Sequence, residues 1–267
     1  MTWGVEALGV SFGRTVALEG VTLEVPAGQV TAVVGGDGAG KTTLLRVLAG
    51  LVLPNRGTAR RPERERMGYL PARAGGFRDL TVAENLEFVA SVYRLANVGS
   101  QAGDLLERTG LAPFRERLAR DLSGGMRQKL GVIMALLPEP ALLILDEPTT
   151  GIDPVSRADL WRLIALAAAR GAGVVVSSAY LDEAERASWV LVLHEGRPLL
   201  AGPPTRVVSS LTGSVVELDT PTDRRRAWRR GPRWREWRPG GDPAGIAPAL
   251  EDVVIVAALA AAERGTP

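Results

Sequence analysis

A glycine-rich segment between an apolar strand and a helical run constrains this chain more than any other feature. Residues 29–34 form a compact apolar stretch that predicts a buried strand, and residues 42–49 place apolar side chains at helical spacing up to Gly50. The segment between them fits the pattern G-x-x-x-x-G-K-[ST] and consists of Gly35, Gly36, Asp37, Gly38, Ala39, Gly40, Lys41, Thr42 and Thr43. Because a phosphate loop requires this order of strand, loop and helix, the sequence predicts a nucleoside-triphosphate site.

The residue types in this loop suit phosphate chemistry. Backbone N–H groups of a glycine-rich loop can surround the β- and γ-phosphates, and the following helix directs the positive end of its dipole at them. Lys41 adds a full charge, and the Thr42 hydroxyl is the expected Mg²⁺ ligand. The only other lysine is Lys129, so the ammonium in the loop is consistent with a specific chemical need. The alternative is a glycine-rich turn that binds nothing.

Two further segments follow in the chain. Residues 122–128 read Leu-Ser-Gly-Gly-Met-Arg-Gln and precede a predicted helix, whose N-terminus would favour anions. Residues 142–145 predict a buried strand that ends in Asp146 and Glu147. An acid at the end of such a strand holds Mg²⁺ in phosphate-loop enzymes, so Asp146 is a candidate metal ligand. The alternative is that the two acids only end a strand.

In this fixed order, the three segments resemble the signatures of ATP-binding-cassette (ABC) ATPases. The resemblance implies that Glu147 is the general base that polarises the attacking water. It also implies that a two-fold dimer buries two ATP molecules, with one cassette capping the γ-phosphate held by the other. The residues that would form this cap are Ser123, Gly124, Gly125 and Gln128.

The same resemblance extends to weaker positions. Asp153 matches a loop that communicates across the dimer, and the alternative is an ordinary turn with Asp before Pro154. Phe12, with Val16 beside it, matches the aromatic residue that stacks on adenine, and the alternative is a core aromatic at the end of a strand. Asp37 stands where the family usually has Asn, which places a mildly unfavourable carboxylate near the phosphates.

Two polar residues of the family pattern are missing. Ala72 stands where a Gln is expected after residues 67–71, and Ala179 stands where a His is expected after residues 174–178. Removing one preorganised donor of this type costs on the order of 10²–10³ in rate. We therefore expect this chain's own site to bind ATP and to hydrolyse it slowly. The alternative is that water or a neighbouring group, Ser178 or Tyr180, replaces the missing side chains.

The order of elements predicts an α/β fold. Alternating strands and helices from residue 141 to residue 200 favour a mainly parallel sheet, with antiparallel strands at the N-terminus and a helical insertion at about residues 77–137. No internal repeat is visible, so the chain holds one cassette. We expect the cassette to span residues 1–211 and a small C-terminal extension to span residues 212–267.

Composition limits the remaining possibilities. The chain has no cysteine, no evident signal peptide and no apolar run long enough to span a membrane. The net charge of +2 conceals a basic segment, since residues 224–238 contain eight Arg, one Glu and three Trp. This segment could bind RNA or anionic lipid. Alternatively, it is a solvated basic face with Trp packed beneath it.

The resemblance to ABC ATPases, taken with these features, implies a cytoplasmic ATPase subunit that lies on the inner face of the cell membrane. It also implies ATP and Mg²⁺ as cofactors, a separate membrane-spanning permease as partner, and export as the direction. A second cassette completes the dimer, and the degenerate positions favour a heterodimer. Nucleic acid is not an expected ligand. Two alternatives stay open, a regulatory module that binds ATP without hydrolysis and a soluble ABC ATPase that acts on ribosomes or nucleic acid.

Overall fold

The computed structural model describes residues 1–72, 76–96 and 98–265. Its strands are β1 (Thr2–Phe12), β2 (Thr15–Pro26), β3 (Val30–Val34), β4 (Arg56–Arg60), β5 (Met67–Leu70), β6 (Leu142–Asp146), β7 (Gly173–Ser178), β8 (Trp189–His194), β9 (Arg197–Gly202), β10 (Ser214–Leu218), β11 (Ala227–Arg230) and β12 (Arg233–Arg238). Its helices are α1 (Lys41–Leu48), α2 (Val82–Val92), α3 (Val98–Thr109), α4 (Gly124–Leu136), α5 (Pro154–Ala169), α6 (Leu181–Ala184), α7 (Pro204–Ser209) and α8 (Leu250–Gly265).

A six-stranded sheet in the order β5-β6-β7-β3-β8-β9 forms the centre of the fold. All neighbours pair in parallel except β8 and β9, which are antiparallel. Every residue of β3, β6 and β7 is buried, because both faces of the sheet are covered. The carboxyl ends of the parallel strands therefore meet at one edge, where the loops carry the candidate site.

The two faces of this sheet pack against different layers. One face packs on α2, α3, α4 and α5, and the other packs on α1 and on the antiparallel sheet β2-β1-β4. The predicted antiparallel N-terminal strands and mainly parallel sheet are confirmed. Strand β4 was not predicted, because four of its five residues are exposed and it has no apolar pattern.

Helix starts are set by local sequence. Thr81 forms a capping box with Glu84 at the start of α2, and hydrogen bonds from the backbone and side chain of Thr81 to the carboxylate lower the pKa of Glu84. Ser123 caps α4 by accepting a hydrogen bond from the backbone N–H of Met126 at 3.2 Å. The helices α2, α3 and α4 fall within the predicted insertion.

The basic segment folds into a small sheet in the order β10-β12-β11. Trp237 is buried there against Val215 of β10 and Val256 of α8, and its indole donates a hydrogen bond to the carbonyl of Thr212 at 2.9 Å. The same helix α8 also places Leu250 in the main core. The extension thus packs on the cassette through α8.

Most arginines of this segment face acids of the extension itself. Pairs join Arg226 to Glu263, Arg230 and Arg235 to Asp252, Arg233 to Glu217, and Arg238 to Asp242. These pairs neutralise five of the eight arginines, while Arg224, Arg225 and Arg229 are exposed. The packed Trp237 and the internal pairs agree with the interpretation of a structural face rather than a binding surface.

Candidate functional site: a nucleotide site at the edge of the central sheet

The glycine-rich loop runs from the end of β3 to the start of α1. Lys41 is buried at the first position of α1, and its Nζ donates hydrogen bonds to the carbonyls of Gly35 at 2.8 Å and Gly36 at 3.2 Å. Asp37 and Gly38, at the tip of the loop, are exposed. The sequence thus folds into a loop whose ammonium lies inside and whose tip is open to a ligand.

Two glycines of this loop have no substitute. Gly35 and Gly40 have φ of +154° and +102°, values that other residues rarely adopt. A Cβ on Gly40 would lie 2.6 Å from Leu18 Cδ2, and one on Gly35 would lie 2.3 Å from the carbonyl oxygen of Leu193. The curvature of the loop therefore depends on these two positions.

The two acids at the end of β6 are held by a serine on the neighbouring strand. Ser177 Oγ donates a hydrogen bond to Asp146 Oδ1 at 2.6 Å and accepts one from the backbone N–H of Glu147 at 2.9 Å. Glu147 has φ of +50°, and its Oε1 lies 3.5 Å from Lys41 Nζ. The predicted base and the loop lysine therefore face each other across the edge of the sheet.

The chemistry of this edge suits a metal ion bound together with phosphates. Asp146 is fully buried, and its Oδ2 has no hydrogen-bond partner among the described residues. Thr42 follows Lys41 in the first turn of α1. In the described part of the chain, no three His, Cys, Asp or Glu side chains converge on one point. A Mg²⁺ ion here would take most of its oxygen ligands from phosphates and water.

The signature segment, residues 122–128, has some residues exposed to solvent and others buried in the chain's own core. Ser123 and Gly124 are exposed at the N-terminus of α4, and Gly125 follows them half-buried. Gln128 is buried instead, and its Nε2 donates a hydrogen bond to the carbonyl of Glu147 at 3.3 Å. This bond joins α4 to the strand end within this chain, and the role of Gln128 toward the opposite subunit stays a prediction.

Asp153 caps helix α5. Its Oδ1 accepts hydrogen bonds from the backbone N–H groups of Ser156 at 2.9 Å and Val155 at 3.0 Å, and these bonds lower the pKa of the carboxyl. The carboxylate is nevertheless exposed, so the cap is compatible with a role in contacts to a second cassette.

Phe12 and Val16 lie together on the β1–β2 hairpin. The register pairs Phe12 with Thr15 and Ser11 with Val16, and the two apolar side chains are 54% and 56% exposed. Such exposure disfavours the alternative that Phe12 is an aromatic residue of the core. It leaves one face of the Phe12 ring free for a stacked base.

The two positions that depart from the family pattern are both exposed. Ala72 lies in the turn after β5, and Ala179 lies in the bend after β7. Ser178 cannot replace the missing histidine, because its buried hydroxyl donates to Glu183 Oε2 at 2.6 Å. Tyr180 is 39% exposed, and its ring stacks against the guanidinium of Arg157 at 4.8 Å.

Sequence reasoning missed the polar groups that support the site. Ser177 ends a buried run of valines, Thr149 follows the acids, and Glu183 lies in the short helix α6. A signal was present, since two consecutive hydroxyls in a fully buried strand must find partners. The sequence does not show which partners those are.

Comparison with known proteins assigns the family. The family described as ABC transporter matches residues 18–150. The Nod factor export ATP-binding protein I of Cupriavidus metallidurans is 36% identical over 221 residues, which cover 78% of this chain and 73% of that protein. The chain belongs to the ABC transporter family. The predicted family and the predicted α/β phosphate-loop fold are confirmed.

Other relatives of this ABC protein carry related names. The daunorubicin/doxorubicin resistance ATP-binding protein DrrA of Streptomyces peucetius is 36% identical over 220 residues, which cover 78% of this chain and 67% of DrrA. The probable multidrug ABC transporter ATP-binding protein YbhF of Escherichia coli is 42% identical over 209 residues, which cover 74% of this chain. The match covers only 36% of YbhF, so the chain spans about a third of that relative's length.

Solved structures agree with the fold. The ATP-binding subunit of an ABC transporter superposes with a TM-score of 0.73 at 30% identity, over 79% of this chain and 93% of that one. A dimeric bacterial ABC transporter cassette superposes with a TM-score of 0.68 at 22% identity, over 76% and 98% of the two chains, which supports the fold alone. Within the described residues, no helix is both long enough and apolar enough to cross a bilayer.

Proposed function

We propose that this ABC protein is the ATP-binding and ATP-hydrolysing subunit of an export-type transporter, and that it drives a separate membrane-spanning permease. The observation that carries the proposal is the convergence of Lys41, Asp146 and Glu147 at one edge of the sheet, with an exposed signature segment on the same chain. The relatives named above include drug-resistance and export ATP-binding proteins, which supports export.

The residues at the edge of the sheet have distinct tasks in this proposal. The loop N–H groups and Lys41 bind the β- and γ-phosphates of ATP, and the ammonium exchanges its bonds to the loop carbonyls and to Glu147 for bonds to phosphate. Thr42 and Asp146 would hold Mg²⁺, which neutralises the phosphate charge when bound. Glu147, freed from Lys41, orients the water and accepts its proton. Phe12 and Val16 cover the adenine ring.

The proposed catalytic unit contains two cassettes. Ser123 and Gly124 are exposed at a helix N-terminus, where backbone N–H groups can bind the γ-phosphate held by a second cassette. Asp153, at the exposed start of α5, contributes to contacts between the two cassettes. The missing polar groups at Ala72 and Ala179 favour a heterodimer, in which this chain supplies the slow site and completes a competent one.

The proposed permease docks on the helical insertion. Phe77 and Phe88 form an edge-to-face pair at 4.6 Å between ring centroids, yet they are 50% and 45% exposed. Val92, one helical turn beyond Phe88 on α2, is 60% exposed. Exposed apolar side chains of this size are typical of protein contacts. Docking there would place the chain at the cytoplasmic face of the membrane.

A regulatory module that binds ATP without hydrolysing it is the second candidate function. The engagement of Ser178 with Glu183 favours it, because the Ser178 hydroxyl is then not available beside Ala179 to replace the missing imidazole. The intact pair of Glu147 and Lys41 opposes it. An ABC ATPase that acts on nucleic acid finds less support, since five of the eight arginines in the basic segment pair with acids of the extension.

Mg-ATP binding and steady-state hydrolysis by the purified chain separate these candidates. We expect tight binding and slow turnover that Glu147→Gln abolishes and Ala179→His increases. Glu185→Gln, a change of the same chemistry at an exposed position after α6, is the matched control and should leave turnover unchanged. Binding without turnover in both wild type and Ala179→His supports the regulatory module. Absence of ATP binding refutes the proposal.

A further inference from the structure

Glu183 is a buried carboxylate beside the nucleotide site that the proposed mechanism does not use. It lies on α6 with 1% of its surface exposed. A charge in such a position is retained only with good partners, because the desolvation of an unpaired carboxylate is very unfavourable. The partners of Glu183 therefore indicate what it holds in place.

Two hydroxyl groups converge on a single oxygen of this carboxylate. Thr149 Oγ1 donates to Glu183 Oε2 at 2.8 Å, and Ser178 Oγ donates to the same atom at 2.6 Å. Both donors are buried, with 1% and 3% of their surface exposed. Bonds of this kind to an ionised acceptor are stronger than those between neutral groups. Thr149 and Ser178 are thus fixed relative to each other through one atom.

The second oxygen of Glu183 faces a guanidinium on a third element. Arg157 Nε on α5 lies 3.5 Å from Glu183 Oε1. The same side chain stacks on Tyr180 and lies 3.8 Å from the exposed Asp182. Arg157 therefore supplies the positive charge opposite the buried carboxylate.

These contacts join two segments that carry catalytic positions. Thr149 is two residues after Glu147, whose backbone has the left-handed φ of +50°. Ser178 immediately precedes Ala179, and its Oγ also accepts a hydrogen bond from the backbone N–H of Tyr180 at 2.9 Å. One carboxylate thus fixes both the segment after the proposed base and the bend at the position of the missing histidine.

We propose that Glu183 is a positioning residue for ATP hydrolysis, acting on Glu147 through Thr149 and on residue 179 through Ser178. The inference rests on the proposed function, since it concerns the same site. In this scheme α6 does not contact the nucleotide. It controls the position of the attacking water through Glu183. Nucleotide affinity itself depends on the loop at residues 35–43, so it should be insensitive to Glu183.

Turnover is the first measurement, made in the Ala179→His background so that its signal is large. We expect Glu183→Ala to lower kcat at least tenfold while the Kd for Mg-ATP changes less than about twofold. Thr149→Val should reproduce much of this loss of kcat. Thr149→Ser keeps the hydroxyl and should therefore keep the kcat of the parent protein. Asp182→Ala is the matched control, since Asp182 is the adjacent exposed acid that Arg157 also approaches.

Hydrogen–deuterium exchange provides a second readout that does not require turnover. Residues 147–151 and 178–181 of the Mg-ATP complex should exchange faster in Glu183→Ala than in wild type or Asp182→Ala. Faster exchange or a lower melting temperature with unchanged kcat would make Glu183 merely structural and would overturn the inference. A loss of kcat accompanied by an equal loss of ATP affinity would overturn it too. If wild type and Ala179→His bind no ATP, the proposed function fails, and exchange in the free protein tests the contacts alone.

Discussion

Ser177→Ala tests whether the hydrogen bonds of this serine hold Asp146 and Glu147 in place at the end of β6. The serine hydroxyl is fully buried between two groups, the carboxylate of Asp146, to which it donates, and the backbone N–H of Glu147, from which it accepts. The substitution removes both bonds and leaves almost no cavity, since only one oxygen is lost. Its cost is therefore electrostatic rather than a matter of packing.

The two bonds set the expected magnitude. A hydrogen bond to a charged group contributes about 1.5–3 kcal/mol and one between neutral groups about 0.5–1.5 kcal/mol. Asp146 Oδ2 has no hydrogen-bond partner in the described residues, so the variant would leave this buried carboxylate without its one side-chain donor. We therefore expect Ser177→Ala to lower the free energy of unfolding by about 2–4 kcal/mol, a large fraction of the total for a typical protein.

Urea denaturation of the nucleotide-free chain measures this loss. Ser188→Ala, at an exposed position between β7 and β8, is the control and should stay within about 0.5 kcal/mol of wild type. In an Asp146→Ala background, Ser177→Ala should cost only about 0.5–1.5 kcal/mol, because the charged bond is already absent. Double-mutant cycles resolve differences of about 0.5 kcal/mol. A loss below about 0.5 kcal/mol in the wild-type background, or an equal loss in both backgrounds, would refute the electrostatic origin of the effect.

Further predictions concern rate, affinity and pH. Ala179→His should raise Mg-ATP turnover by at least an order of magnitude, measured by phosphate release, because it restores a polar group at the reacting phosphate. Phe12→Ala should weaken Mg-ATP binding by about 1–3 kcal/mol in calorimetry, the range for a base stacked on an aromatic ring, whereas Phe12→Tyr should not. Burial raises the pKa of Glu236, but hydrogen bonds from Thr222, Asp223 and Arg238 together outweigh it and leave the pKa lowered. The stability that Glu236 contributes is thus complete above the pKa of the unfolded state and lost as pH falls through the folded value. Urea midpoints should show this loss below about pH 4 in wild type and a smaller one in Glu236→Gln.

The sequence predicts the parts of this site that are local in the chain. The glycine loop, the acids after β6 and the signature at the start of α4 each combine a motif with its flanking elements within about a dozen residues. The motifs therefore predict Lys41 and Glu147 as site residues, and the structure places Glu147 Oε1 3.5 Å from Lys41 Nζ. The positive φ of Gly40 belongs to the local turn into α1, whereas the close approach of Leu18 to Gly40 depends on the fold.

Contacts between distant segments could not be predicted in this way. Ser177 and Asp146 are 31 positions apart, and their bond depends on the register between β6 and β7. The pairing of Arg235 with Asp252 depends in the same way on how α8 crosses the small sheet. Composition alone left the basic segment open between a binding surface and a structural face, because it does not show where the matching acids lie.

At this site, the buried polar residues that support folding are retained, and the polar residues that are missing lie at exposed positions where they would affect the rate of hydrolysis. Ala72 and Ala179 are exposed, so the absence of Gln and His there leaves no buried group unpaired and costs folding nothing. The buried hydrogen bonds from Ser177 to Asp146 and from Ser178 to Glu183 are both formed. A site altered only at its exposed positions keeps the geometry needed to bind ATP and to close on a second cassette, while the chemical step loses donors. Slow hydrolysis with tight binding is therefore the expected behaviour, and a partner cassette that supplies its own His would carry most of the turnover.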